Sequence, residues 1–226
     1  MALVIEPPHR HPGTDALRRV KPLLRGWIHE IACLASIPAG IALVVMARGS
    51  APAVAAGVFA VSLTVLYGVS ALYHRVNWSD RMHSVMKHLD HAMIYVLIAG
   101  SYTPLLLMAL HPGWNIAFLL LVWLGAAIGV GLTLWHLERH TRLAAAFYIV
   151  LGWVGVLALP QLVGSLSTLQ IVLLAAGGVL YTVGAIILAT NRPNPNPRVF
   201  GYHEIWHVLG VIAAACHYVL ILMLVS

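Results

Sequence analysis

Charged side chains are scarce in this chain. Asp, Glu, Lys and Arg make up 9% of its 226 residues, with seven acids against thirteen bases. Soluble domains carry roughly 25% charged residues, so a surface wetted on all sides is excluded. Cysteine is nearly absent as well: Cys33 and Cys216 lie far apart, each in an apolar run. That excludes a disulfide framework and a C-x-x-C metal site, and leaves both as small packing residues. Residues 1–25 contain no apolar stretch of the kind a secretion signal needs. No internal repeat is apparent. Between His207 and Ser226 there is no Asp, Glu, Lys or Arg at all, and the only other histidine there is His217.

What fills the chain instead is apolar: 61% of the residues are hydrophobic. They gather in runs close to the roughly 20 residues that cross a ~30 Å hydrocarbon core as a helix. Breaks at Gly, Pro and charge clusters predict seven spans, at Trp27–Ala47, Val54–His74, Val85–Leu110, Trp114–Trp135, Leu143–Leu162, Leu166–Thr190 and His203–Val225. The fifth is the shortest, because Pro160 is expected to cut it. The expected fold is all-α, a polytopic membrane protein with a single seven-transmembrane helical domain over residues 27–226. A basic tail, residues 1–26, precedes it. Within that tail Thr14 or Asp15 is placed to cap a short amphipathic helix on the membrane surface, the alternative being a solvated tail. The only obvious proline-rich linker is Asn191–Arg198.

Basic residues give the orientation. Five lie in the tail, and Arg75, Arg81, Lys87, Arg139, Arg142, Arg192 and Arg198 lie in alternate later loops; only Arg48 falls on the other side. The positive-inside rule then predicts a cytoplasmic N-terminus and an external C-terminus. The net charge of +6 is thereby accounted for by short loops beside spans, and nucleic acid is not an expected partner.

The last span opens with His203-Glu204-Ile205-Trp206-His207. Histidines at i and i+4 share one face of a helix and can reach one ion. On the predicted topology His74, at the end of the second span, and Asp90, early in the third, reach the same depth on the same side. Ser70 lies one turn inside His74. Three neutral imidazoles leave one tetrahedral position of zinc open to water, as catalytic sites do. Asp90 is then placed to hold or deprotonate that water, and Ser70 to orient His74 or to bond a developing oxyanion. Alternatives stay open. His83, His88 or His91 can stand in for His74, and His136 and His140 fall in an exposed loop. Glu204 is either the general base of a zincin or, as the sequence favours, a residue facing headgroups. His217 should point into the bundle, as a core residue or the lining of a cavity.

The joint pattern resembles a known family. Ser70-x-x-x-His74, Asp90 followed by Gly100-Ser101-Tyr102-Thr103-Pro104, and His203-x-x-x-His207 are similar to the hemolysin III proteins. These are bacterial relatives of the progestin and adipoQ receptor (PAQR) family, in a superfamily that includes alkaline ceramidases. In the first span Glu30 fits, but Ala32-Cys33-Leu34-Ala35-Ser36 lacks the Asn and His common in the family. The resemblance implies zinc (Zn2+) held by His74, His203 and His207, with Asp90 reaching it through water and Ser70 beside it. It also implies ceramidase-like hydrolysis of a lipid amide or ester and a role in membrane homeostasis. Membrane lipids would be the partners, with a lipid substrate at the cytoplasmic side of a bacterial inner (plasma) membrane. A different class of function, a non-enzymatic sensor or receptor with a structural zinc, uses the same residues.

Overall fold

In the computed structural model, residues 22–135 and 141–226 are described, 141–145 for their backbone only. The segment around Thr14 and Asp15 and the loop histidines His136 and His140 lie outside the described residues. The described chain contains seven helical spans long and apolar enough to cross a membrane. Hydrocarbon offers no partner for a peptide group, so each span must satisfy its backbone internally, as a helix does. The chain is an integral membrane protein.

The helices are α1 Trp27–Met46, α2 Ser50–Arg75, α3 Asp80–Ala109, α4 Trp114–Leu134, α5 Thr141–Gly152, α6 Leu159–Ser165, α7 Thr168–Thr190 and α8 Tyr202–Val225. The fifth span is built from α5 and α6 with a 3₁₀ turn, Val154–Ala158, between them. Pro160 does not end this span: it sits in the first turn of α6, where a missing N–H costs nothing, and the helix runs on to Ser165. The sixth span starts at Thr168 rather than Leu166, because Ser167 and Gln170 form a capping box. Asp80 marks the start of α3, five residues before the apolar run begins; an acid in the first turn is favoured by the helix dipole. Residues 80–85 are all exposed, so α3 projects beyond its neighbours at this end.

In space α1 packs on α2, α2 on α3, α3 on α4, and α7 on α8, while α8 also touches α1, α2 and α3. One apolar core lies among α3 to α6, with Tyr95, Leu106, Val122 and Leu162 buried in it. A second joins α1, α2 and α8 around Leu43, Phe59, Leu66 and Ile221. The outward faces carry large apolar side chains such as Leu34, Ile41, Val45 and Leu124, which suit acyl chains. Without a hydrophobic driving force between helices, close approach through small residues holds the bundle. A Cβ on Gly40 would lie 2.8 Å from that of Ala60 on α2, and one on Gly129 of α4 would lie 2.5 Å from Cδ1 of Tyr95.

That close contact gives a paired test. Gly129→Val should lower the unfolding midpoint of the detergent-solubilised protein, at a cost of about 1–3 kcal/mol for overpacking. Gly131→Val, two residues along where a Cβ meets nothing within 4 Å, should leave it near the wild-type value.

Candidate metal centre

His74 lies in the last turn of α2, while His203 and His207 lie in the first two turns of α8. Their ligand nitrogens all fall within 4.8 Å of one another. Nε2 of His203 stands 3.1 Å from Nε2 of His74, close to the roughly 3.3 Å between two nitrogens on one tetrahedral zinc with ~2.05 Å bonds. The rings meet edge to face, at 80° for His74 with His203 and 61° for His203 with His207. His74 and His207 are buried. This buried triad could hold a metal ion.

Asp90 borders the group, with Oδ2 at 3.8 Å from Nε2 of His74. Because α3 projects, Asp90 is almost three turns into its helix yet level with the end of α2. Ser70 is buried one turn inside His74. Among the alternatives, His83, His88 and His91 do not join the cluster: His88 bonds its own helix at the Ser84 carbonyl, and His83 lies against Tyr73. His217 does point into the bundle, where it lines an apolar cavity beside Tyr181.

Glu204 is not where the sequence reading put it. Instead of facing headgroups it is 1% exposed. One carboxylate oxygen accepts from Nε of Arg25 at 2.5 Å, the other from the backbone N–H of Gly201 at 2.8 Å. Glu204 thus caps the helix that carries His203 with one oxygen and anchors Arg25 with the other. Residues 22–26 are strapped to the turn before α8 through Leu23 N–H to the Arg198 carbonyl (3.0 Å) and Leu24 N–H to that of Val199 (3.3 Å). Gly26 closes the strap. Its φ of 85° is left-handed, and a Cβ there would lie 2.8 Å from Cβ of His74.

Two spaces meet at the triad. A cleft of about 580 Å³, lined in part by Arg25, Tyr73, Lys87, His74 and His203, opens at the end of the bundle where α8 begins. An apolar cavity of about 250 Å³ runs inward from His207, Asp90 and Ser70 to His217. Ile94 and Tyr148 border both.

This arrangement agrees with the likeness to other proteins. The profile of the family described as "Haemolysin-III related" matches residues 17–218, a range that contains His74, Asp90, His203 and His207. The chain belongs to this family. It is 36% identical over 191 residues to the "Hemolysin-3 homolog" of Bacillus subtilis (strain 168), covering 82% of this chain and 86% of that one. It is 37% identical over 189 residues to "Hemolysin-3" of Bacillus cereus, covering 80% and 82%. More distantly, it is 29% identical over 185 residues to the "Heptahelical transmembrane protein ADIPOR2" of Oryza sativa subsp. japonica, covering 75% and 81%. The last of these names ties the chain to the wider PAQR group.

Within this haemolysin-III site the sequence reading missed His29. Its ring lies parallel on that of His207, with centroids 3.8 Å apart and planes 7° off, and it also contacts Tyr67. Buried and with Nδ1 unbonded, it lines the same apolar cavity. A signal was present: His29, Ala32, Ser36, Gly40 and Leu43 form the one buried stripe of α1, a 3.6-residue period of otherwise small or apolar residues.

The Arg25–Glu204 pair yields an asymmetric prediction. Arg25→Ala strands a carboxylate buried beside the triad, and breaking a buried pair in this way costs about 3–5 kcal/mol. Glu204→Gln keeps a bond to Gly201 and leaves only the partly exposed Arg25 without its partner. Thermal unfolding in detergent should therefore rank Arg25→Ala well below Glu204→Gln.

Proposed function

We propose that the protein is a zinc-dependent hydrolase of a lipid amide or ester, ceramidase-like in its chemistry and serving membrane homeostasis. By the charge rule its site faces the cytoplasm, and the bacterial relatives favour the inner (plasma) membrane. The observation that carries the reading is the set of donors: three converging imidazoles with a carboxylate beside them, at the junction of a polar cleft and an apolar cavity. Among the described residues no fourth His, Cys, Asp or Glu joins the triad. Structural zinc is held by four protein ligands, whereas catalytic zinc has three and an open position. This favours hydrolysis over a sensor with a structural zinc.

His74, His203 and His207 would hold the ion, which when bound supplies Lewis acidity for hydrolysis at neutral pH. The residues do the rest. Asp90 accepts a proton from the attacking water as the C–N or C–O bond of the substrate breaks, and returns it to the leaving nitrogen or oxygen. The Ser70 hydroxyl, buried beside His74, donates to the carbonyl oxygen as charge develops there. The apolar cavity takes the acyl chain and keeps bulk water from the reacting bond.

Labelled lipid amides and esters turned over by purified protein, with metal analysis alongside, test the proposal. Asp90→Ala should lose about 10²–10⁴-fold in kcat while retaining zinc, and stripping the metal should abolish turnover. Turnover that survives loss of zinc would sink the hydrolase reading. Absent turnover on every lipid, together with a sharp drop in thermal stability for His203→Ala, would establish the structural-zinc receptor instead.

A further inference from the structure

His29 is a misfit where it stands. It opens the one buried stripe of α1, which continues as Ala32, Ser36, Gly40 and Leu43. The residue is 6% exposed, and its Nδ1 has no hydrogen-bond partner. A buried polar group left unbonded costs stability that an apolar side chain in the same place would not. Breaches of this kind are expected where a residue serves function, so the imidazole has a use beyond filling space.

Its neighbours indicate what that use is. Each ring of the triad touches an aromatic ring outside the triad. Tyr73 is tilted 51° to His74 with centroids 4.5 Å apart, and Tyr202 stands at 72° to His203 at 6.2 Å. Of these three outer rings His29 alone lies flat, 7° from parallel with His207 at 3.8 Å. A flat neighbour in contact with a ring face opposes any tipping of that ring, which a distant or tilted one does less well. The other rings against His207, those of His203 and His74, meet it at 61° and 55°. Tyr67 packs on His29 at 5.0 Å. The strap fixes the height of the stack, because Gly26 lies against His74 and α1 begins at the next residue. A ring that ligates a cation takes on part of its positive charge, and the face of an adjacent aromatic ring attracts such charge. The stack is therefore strongest when His207 holds a metal, which offsets the cost of the unbonded nitrogen.

We propose that His29 is a positioning residue of the metal centre, acting through the flat face of its ring to fix the plane of the His207 imidazole and to favour the metal-bound state of that ligand. α1, which supplies no member of the triad, thereby takes part in metal binding. This role rests on the triad being a metal site, and not on hydrolysis.

The test measures metal binding without turnover, on the full-length protein in a detergent micelle. Zinc is titrated against a chelating dye, and cobalt(II) is followed by its d–d absorbance, which reports ligand geometry. His29→Asn keeps a polar group and loses the ring; it should weaken zinc binding about ten-fold, as loss of an outer-sphere partner does, and alter the cobalt spectrum. His29→Phe loses both nitrogens and keeps a flat ring; it should bind both ions much as the wild type does, with the same spectrum. Unfolding midpoints of the metal-free proteins report packing separately. A midpoint lowered in His29→Asn with affinity and spectrum unchanged would overturn the proposal, leaving His29 a packing residue. The reverse order, with His29→Phe weakened and His29→Asn not, would also overturn it and mark a nitrogen of His29 as the operative group. Should His29→Asn fail to fold, Tyr67→Leu, which removes the ring packed on His29, should weaken zinc in the same direction, and unchanged affinity there would overturn the role. A wild type that binds neither ion takes down the metal reading and this role together, whereas zinc held equally by all the variants takes down the role of His29 alone.

Discussion

The polar end of this bundle is organised by the approach of the first two turns of α8 to the last turn of α2. His74 and His203 are 129 positions apart in sequence, yet their Nε2 atoms are 3.1 Å apart. Nothing local to either helix produces that contact. It is held by the strap of residues 22–26, which is bonded to the turn before α8 and passes His74 at Gly26, the residue whose missing Cβ permits the approach. Arg25 on the strap reaches Glu204 on α8, and Glu204 caps the helix that presents both histidines. In a low-dielectric bundle such a cluster is stable only when most of its groups are answered, so strap, cap and triad form one unit.

The same unit separates two environments. On the outer side of the triad lie cations, amides and phenols around an open cleft; on the inner side lie leucine, isoleucine and tryptophan side chains around a cavity that ends at His217. The lipid amide or ester proposed as substrate would meet both at once. His29 contributes from the cavity side. It is stacked flat on His207, in the position from which outer-sphere groups orient ligands elsewhere. Together with Tyr67 it gives α1 a share in the site, although that helix supplies no member of the triad.

The membrane spans were legible because hydrocarbon leaves so little choice: runs of apolar residues, broken by Gly, Pro and charge, can only be helices there. The helix ends were less so. Asp80 to Ser84 read as a polar loop, yet they continue α3, because a helix does not require its projecting turns to be apolar. Pro160 read as a stop and is instead a start. At the site, His74, Asp90, Ser70, His203 and His207 could be proposed together from spacing and depth, with His83, His88 and His91 open as stand-ins for His74. Glu204 could not, because both its partners, Arg25 and the Gly201 N–H, are fixed by how the strap folds back on α8. His29 lay on a readable stripe of α1, but which helix that stripe faces is a matter of packing.

By itself, then, the sequence determined that the chain is a seven-span helical membrane protein with histidines on one face at the start of α8, since composition and helical period dictate both. Only the tertiary structure decided which histidines converge, that Glu204 is a buried cap rather than a residue facing headgroups, and that His29 stacks on His207. Those outcomes depend on contacts between residues distant in the chain, at interfaces that tolerate only the shapes present, such as Gly26 beside His74, and no local pattern encodes them.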